Sequence, residues 1–167
     1  MNLKDKEVAE KVIRYLCLNS DINGYRFHPC SQLLLSGPDD GRNDIDGQIF
    51  INLESRFKVY SSMPSCLPQC EEDIEELNEE EELNLIFKLK RKRIIDIKLG
   101  DLHPHLIITF ESGEVLFVNG NHYMYESWQL GVAYQRNNDL WLVVACPGSE
   151  IAVWAPKSFG YGYDQTK

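Results

Sequence analysis

The chain has 167 residues, a formal net charge of −9 and 43% hydrophobic residues. This length allows one ordinary domain or two very small ones, and the apolar content is typical of a packed protein. The acidic excess argues against DNA or RNA as a partner, because a phosphate-binding face needs clustered lysine and arginine. The apolar runs all fall short of the ~20 residues that span a bilayer, so we expect no membrane partner.

The first residues, Met1 to Glu7, are polar and charged, which does not fit a secretory signal peptide. Five cysteines, an odd number, are spread along the chain. Without an export signal they are best interpreted as reduced thiols. The sequence therefore predicts a cytoplasmic protein.

Residues 3–18 have the pattern of one amphipathic helix. Val8, Val12 and Leu16 recur at helical spacing, with charged residues on the other side. Asn2 is placed to cap the first turn. A single helix of this length is marginal in water, so we expect its apolar stripe to pack against a sheet.

After residue 24 the apolar pattern changes to period two, which is typical of β-strands. Alternation at Leu83, Leu85, Phe87 and Leu89 predicts a strand there, and Ile95, Ile97 and Leu99 predict the next one. The other predicted strands are 25–27, 32–35, 48–53, 57–61, 106–111, 115–118, 128–134, 140–145 and 151–154. The pattern predicts a mainly β (α+β) fold, with the N-terminal helix packed on an antiparallel sandwich or an open barrel.

Two segments of the chain resemble each other. Residues 48–55 and 57–59 match 105–112 and 114–116, each pair enclosing a Glu-Ser dipeptide. Chance similarity of ordinary hairpins stays open beside a true repeat. The predicted organisation is one domain over 1–167, with possible subunits: a helix plus first β-unit over 1–62, an acidic linker over 63–82, a second β-unit over 83–156 and a tail over 157–167.

The acidic run and two tyrosines are the candidate partner-binding residues. As a solvated linker the run would only separate the two β-units, whereas as a surface it would attract a basic protein. Tyr123 and Tyr125 flank a polar turn and are predicted to be exposed, while Trp128 and Trp154 are predicted in the core. The carboxylates are Glu71, Glu72, Asp73, Glu75, Glu76, Glu79, Glu80, Glu81 and Glu82.

The sequence contains only weak motifs for catalysis or for the binding of metals and cofactors. Cys66 and Cys70 form one C-x-x-x-C without the second pair that zinc commonly requires, and the acids of loop 37–47 do not follow the EF-hand order. The sequence has no P-loop, dinucleotide fingerprint or H-E-x-x-H. It therefore predicts no catalytic, cofactor-binding or metal-binding residue, no cofactor and no enzyme.

Residues 120–130 and 145–156, with the hairpin over 106–118, resemble a family of small uncharacterised bacterial proteins. Some similar proteins occur beside polymorphic toxins as candidate immunity proteins. The resemblance covers about residues 94–156, and it implies a protein-binding module that inhibits a basic toxin.

The alternative function is a small-molecule or metal-binding β-sandwich of unknown activity. A deep pocket lined by His28, Cys30, His103 and His105 would favour it over the binding of a protein. The partner's identity and the oligomeric state do not follow from the sequence.

Overall fold

The computed structural model describes residues 1–27, 30–38, 45–135 and 140–159. These residues contain two α-helices, ten β-strands and three short 3₁₀ turns. The helices are α1 (Leu3–Cys17) and α2 (Glu79–Phe87). The strands are β1 (Ile22–Arg26), β2 (Ser31–Leu35), β3 (Gln48–Leu53), β4 (Phe57–Tyr60), β5 (Ile94–Leu99), β6 (Leu106–Phe110), β7 (Val115–Val118), β8 (Trp128–Ala133), β9 (Leu142–Cys146) and β10 (Glu150–Trp154). The 3₁₀ turns are Glu71–Asp73, Pro147–Ser149 and Lys157–Phe159.

The strands form two antiparallel sheets. The larger has the order β1-β2-β3-β8-β9-β10 and the smaller the order β4-β7-β6-β5. Inward-facing residues such as Ile51 of β3 and Ile108 of β6 are fully buried in one shared hydrophobic cluster. The predicted mainly β fold is confirmed, and the two sheets are not closed into a barrel.

Helix α1 packs against β5, β9 and β10, where the edges of the two sheets approach each other. Val12 and Leu16 are fully buried on its inner stripe. The Asn2 side chain accepts a hydrogen bond from the Asp5 backbone N–H at 2.9 Å and caps the first turn. The predicted N-terminal helix is confirmed and ends at Cys17. None of the helices in the described residues is long and apolar enough to cross a membrane.

The strand predicted at residues 83–89 is wrong, because most of this segment belongs to α2. Asn78 and Glu81 form a capping box: the Asn78 side chain accepts from the Glu81 N–H at 3.1 Å, and Glu81 accepts from the Asn78 N–H at 2.9 Å. Four glutamates in the first turn also favour a helix, since negative charge stabilises the N-terminal end of its dipole.

Burial along α2 has helical spacing rather than alternation. Ile86 and Leu89 are buried three residues apart, whereas Phe87 is 65% exposed. Apolar residues at every second position fit either period over such a short segment. Capping chemistry, rather than hydrophobic spacing, decides the structure here.

Exposure departs from the period-two pattern at Ile95 and Tyr134, and from the predicted core at Trp154. Ile95 is 50% exposed, because the register of β5 with β6 shifts between Ile94 and Asp96 and turns its side chain outwards. Tyr134 is 73% exposed at a positive φ of 59°, one residue beyond the end of β8. Trp128 is fully buried as predicted, but Trp154 is only half-buried.

The two matching sequence segments have different connections. After β3 the dipeptide Glu54-Ser55 carries the chain from the large sheet to β4 in the small sheet, whereas residues 111–114 join the neighbouring strands β6 and β7. Strand β3 pairs with β8, and β4 pairs with β7. Both halves of the chain therefore contribute strands to both sheets, and the sequence similarity does not correspond to a shared hairpin.

The first part of the acidic run packs on the outer face of the small sheet. Ile74 is 2% exposed and contacts a second buried cluster with Ile107, Val115 and Phe117. Arg56 fixes the backbone there, since its Nη1 donates to the Ile74 carbonyl at 3.1 Å. The interpretation of this segment as solvated is wrong at Ile74, whose side chain anchors it to the sheet.

Candidate functional site

The loop between β7 and β8 presents three large exposed side chains in a row. Tyr123, Met124 and Tyr125 are 79%, 68% and 49% exposed, as predicted for the two tyrosines. His122 shapes this turn, because its Nδ1 accepts hydrogen bonds from the Met124 N–H at 3.1 Å and the Tyr125 N–H at 3.2 Å. We call residues 122–125 the aromatic loop.

The His122 ring also stacks on the aromatic loop. Its centroid lies 3.3 Å from that of Tyr125 at an interplanar angle of 19°, and 5.5 Å from that of Tyr123 at 17°. Backbone capping and stacking act on the same short turn and orient the two tyrosine rings. Such preorganised aromatic groups lose little conformational entropy when they bind a partner.

Residues 71–76, the acidic segment, lie beside the aromatic loop. Oε2 of Glu71 is 3.9 Å from Nε2 of His122. Its other oxygen, Oε1, accepts from the Ser55 hydroxyl at 2.8 Å and the Arg56 N–H at 3.1 Å. Partial desolvation, and then the negative charge of Glu71, raise the pKa of the Tyr125 hydroxyl above its ordinary value. Two groups of predicted partner residues are thus neighbours in the fold.

Two acids of this segment, Glu72 and Asp73, are stabilised in their charged form. Asp73 accepts from the backbone N–H groups of Gln69 at 3.0 Å and Cys70 at 3.3 Å. These bonds lower the pKa of the Asp73 carboxyl, and a backbone N–H bond does the same for Glu72. Glu76 forms an ion pair with Arg56 at 2.6 Å. The segment therefore presents Glu72 and Asp73 as ionised carboxylates at neutral pH, beside the ion pair of Glu76 with Arg56.

The remaining predicted acids, Glu79 to Glu82, lie at the start of α2. Glu82 accepts a hydrogen bond from the Ser31 hydroxyl at 3.1 Å, which places it beside the start of β2. Burial raises the pKa of the Glu82 carboxyl. Among the described residues, no hydrogen bond or ion pair joins this group to the aromatic loop. The nine predicted carboxylates thus fall into two structurally different groups.

A cleft of about 550 Å³ lies beside the small sheet. It is bounded by the first half of α1, the end of β5, residues 64–69 and the segment before β6. Lys6 of α1 forms an ion pair with Asp101 at 2.7 Å across the cleft wall. His103 and His105 line the cleft, as the alternative function requires. Cys30 is not among its lining residues, and His28 lies outside the described residues.

His105 is almost fully buried, with 5% of its surface exposed. Its Nδ1 accepts a hydrogen bond from the Gly120 N–H at 2.9 Å. A Cβ on Gly120 would lie 2.0 Å from the Pro104 carbonyl oxygen, so this close approach requires glycine. Burial, reinforced by the neighbouring His103, lowers the pKa of His105 to about 4 and keeps the ring neutral.

A chain of polar side chains connects the cleft to the acidic segment. His103 Nδ1 lies 2.7 Å from the Ser149 hydroxyl, which donates to Asn121 Oδ1 at 3.0 Å. The Asn121 N–H donates to Asn119 Oδ1 at 3.2 Å. Fully buried Asn119 donates through Nδ2 to the Ser55 hydroxyl at 2.8 Å. The connected residues, from cleft to acidic segment, are His103, Ser149, Asn121, Asn119, Ser55 and Glu71.

The candidate metal ligands do not form a site among the described residues. No group of three His, Cys, Asp or Glu side chains there could hold a metal ion. All five cysteines are free thiols, and burial raises the pKa of Cys17 and Cys30. Of the acids in loop 37–47, Asp39, Asp40 and Asp44 lie outside the described residues, and Asp46 is half-buried.

Sequence reasoning missed the polar residues that join the two surfaces. Asn119, Asn121 and Ser149 are ordinary turn residues in the sequence, and their pairing depends on contacts over as many as 64 positions. The Gly120 position was the available signal, since a glycine between two asparagines marks a special backbone geometry.

The fold and surfaces define a two-sheet, mainly β protein with an N-terminal helix and an aromatic loop beside an acidic segment. No protein-family model, curated protein or solved structure matches the chain. The resemblance to candidate immunity proteins therefore stays a prediction from the sequence.

Proposed function

We propose that this protein binds a positively charged protein partner through the aromatic loop and the acidic segment, as an immunity-type inhibitor of a basic toxin. The observation that carries the proposal is the adjacency of these two features. Oε2 of Glu71 lies 3.9 Å from Nε2 of His122 in the aromatic loop, although 51 positions separate these two residues in the sequence.

The composition of this surface suits protein recognition. Tyrosine and methionine supply large contact areas and are enriched at the centres of interfaces, whereas charged residues belong at the rim. Tyr123 and Met124 would be the central anchors, and Glu72 and Glu75 the rim. Binding would inhibit the partner by covering its basic surface.

The carboxylates would act mainly on the rate of association. Complementary charge can raise association rates by about 10- to 1,000-fold, and salt screens it because the Debye length falls from about 10 Å at 0.1 M to about 3 Å at 1 M. The aromatic anchors would instead slow dissociation, because their contacts form only in the docked complex.

The test uses the product of the neighbouring gene as the candidate partner. Association and dissociation rates are measured by biolayer interferometry over a series of salt concentrations, with cytochrome c as a basic protein of unrelated surface. We expect specific binding to the candidate, an association rate that falls steeply with salt, and protection of cells that express the candidate.

Two matched double variants separate local from general electrostatics. Glu72→Gln with Glu75→Gln removes two charges from exposed positions in the acidic segment, and Glu79→Gln with Glu80→Gln removes two from exposed positions on α2. We expect the first pair to slow association several-fold more than the second. Equal effects, or an association rate that salt leaves unchanged, would refute local steering.

A separate variant tests the aromatic anchor Tyr123. Tyr123→Ala removes a side chain that is 79% exposed and should leave the fold intact. We expect dissociation to accelerate by about 30-fold or more, the range of a central interface residue worth about 2 kcal/mol. Unchanged dissociation, with binding otherwise intact, would place the interface elsewhere.

A further inference from the structure

The cleft has the size and lining of a ligand site that is separate from the aromatic loop. Its volume of about 550 Å³ falls in the range of small-molecule pockets, which is roughly 300 to 1,000 Å³. Leu67 and Leu102 provide apolar wall, and Leu102 is 71% exposed. Polar groups at fixed positions among such apolar residues are typical of binding sites.

Hydrogen bonds fix the protonation pattern of His103. Asn121 donates through Nδ2 to the Gln69 carbonyl, so its Oδ1 is the acceptor for the single proton of the Ser149 hydroxyl. The Ser149 oxygen must therefore accept from His103 Nδ1. In its neutral form the His103 ring therefore carries its proton on Nδ1, which leaves the Nε2 lone pair as a hydrogen-bond acceptor.

His105 has the opposite arrangement. Its Nδ1 accepts from Gly120, so its proton is on Nε2, which makes no hydrogen bond among the described residues. The Gln69 backbone is close enough to raise the pKa of the ring, against the larger effect of burial. Because His105 is buried and neutral, His103 is the member of the pair that offers a hydrogen-bond acceptor to the cleft.

The charges that line the cleft are of both signs. Lys6 pairs with Asp101, whose side chain is 98% exposed and has a second oxygen available. Lys98 also acts electrostatically on Asp101 and forms no ion pair among the described residues. Glu10 is occupied, because it accepts from the Leu99 N–H at 2.9 Å. The available groups are thus two ammonium groups, one carboxylate and one imidazole lone pair.

We propose that this cleft binds an apolar amino acid in its zwitterionic form. The ligand's ammonium group donates to His103 Nε2 and lies near Asp101, and its carboxylate lies between Lys6 and Lys98. Its side chain packs on Leu67 and Leu102. A ligand of one charge sign would leave half of these groups unused, whereas a zwitterion satisfies both.

The test measures binding of L-leucine to the whole protein by calorimetry, with isocaproate and isoamylamine as controls that lack the ammonium and the carboxylate group. We expect L-leucine to bind with a dissociation constant of about 1 mM or lower, at least tenfold more tightly than either control. The remaining standard amino acids are measured in the same way.

Two variants and a nitrogen NMR spectrum test whether L-leucine binds in the cleft. Lys98→Gln should weaken L-leucine binding at least fivefold, whereas Lys90→Gln, at an exposed position after α2, should not change it. Nitrogen NMR of the histidines should show opposite tautomers for His103 and His105, and L-leucine should shift the Nε2 resonance of His103.

Three results would overturn the proposal. One is the absence of binding by every standard amino acid at millimolar concentration, which would leave a solvent-filled groove only. Another is equal affinity for L-leucine and isocaproate, which would define an anion site. The third is binding that leaves the His103 resonance and the Lys98→Gln variant unaffected. None of these results bears on binding of a basic partner through the aromatic loop.

Discussion

Replacing Ile74 by alanine tests whether the acidic segment is part of the folded structure. The side chain is 2% exposed and lies in a cluster with Ile107, Val115 and Phe117. The substitution removes three buried carbon atoms, worth about 0.8 kcal/mol each, and leaves a cavity. Because the cluster is small and the acidic segment above it can move inwards, we expect the free energy of unfolding to fall by about 2 to 3 kcal/mol, at the low end for an Ile→Ala substitution.

The assay is urea unfolding combined with amide hydrogen exchange. We expect Ile74→Ala to lower the midpoint and to accelerate exchange at residues 69–76 more than in the strands, since the segment can detach locally. Leu77→Ala is the matched control, because Leu77 is half-buried and belongs to neither hydrophobic cluster. A loss below about 0.5 kcal/mol, with unchanged exchange, would refute the reasoning that Ile74 anchors the segment.

Three further predictions concern the region around His105. The pKa of His105 is about 4 in the fold and 6.5 in the unfolded chain, so between these pH values only the unfolded state gains a proton. The free energy of unfolding should therefore fall by up to about 3 kcal/mol as the pH drops from 6.5 to 4. His105→Gln should make the urea midpoint less dependent on pH in this range. Gly120→Ala should lower the melting temperature far more than Gly148→Ala, because an added Cβ at Gly120 meets backbone atoms, whereas at Gly148 nothing lies within 4 Å and only the positive φ of 75° is strained; similar losses would contradict the close approach. Trp128→Phe should cost about 2 kcal/mol by urea unfolding, since its buried Nε1–H donates to the Pro104 carbonyl at 2.7 Å; a neutral result would show that this bond adds nothing.

The sequence predicted those elements whose determinants are local. Helix α1 has an apolar stripe and a capping residue within its own length, and β3 has the predicted bounds 48–53. The strand prediction at residues 83–89 was wrong because helical and β periodicity both fit these apolar residues, while the capping box that starts the helix lies upstream at Asn78. The exposure of Ile95 follows from a register shift, which depends on the pairing with β6 and leaves no mark in a period-two pattern.

The candidate surfaces were predictable only in part. Exposure of Tyr123 and Tyr125 followed from their position around a polar turn. The proximity of Glu71 to Tyr125 depends on Ile74 docking against the small sheet, which is a contact between distant parts of the chain. A run of like charges normally indicates a solvated segment, and a single isoleucine within it was too little apolar signal to predict otherwise.

The buried Asn119 belongs to the same loop that carries His122 and supports His103 through Asn121 and Ser149. The cleft and the aromatic loop consequently share this hydrogen-bonded loop as a common support. If a ligand shifted this support from one side, it would change the free energy of binding on the other side, and thermodynamic reciprocity would make the two effects equal in size.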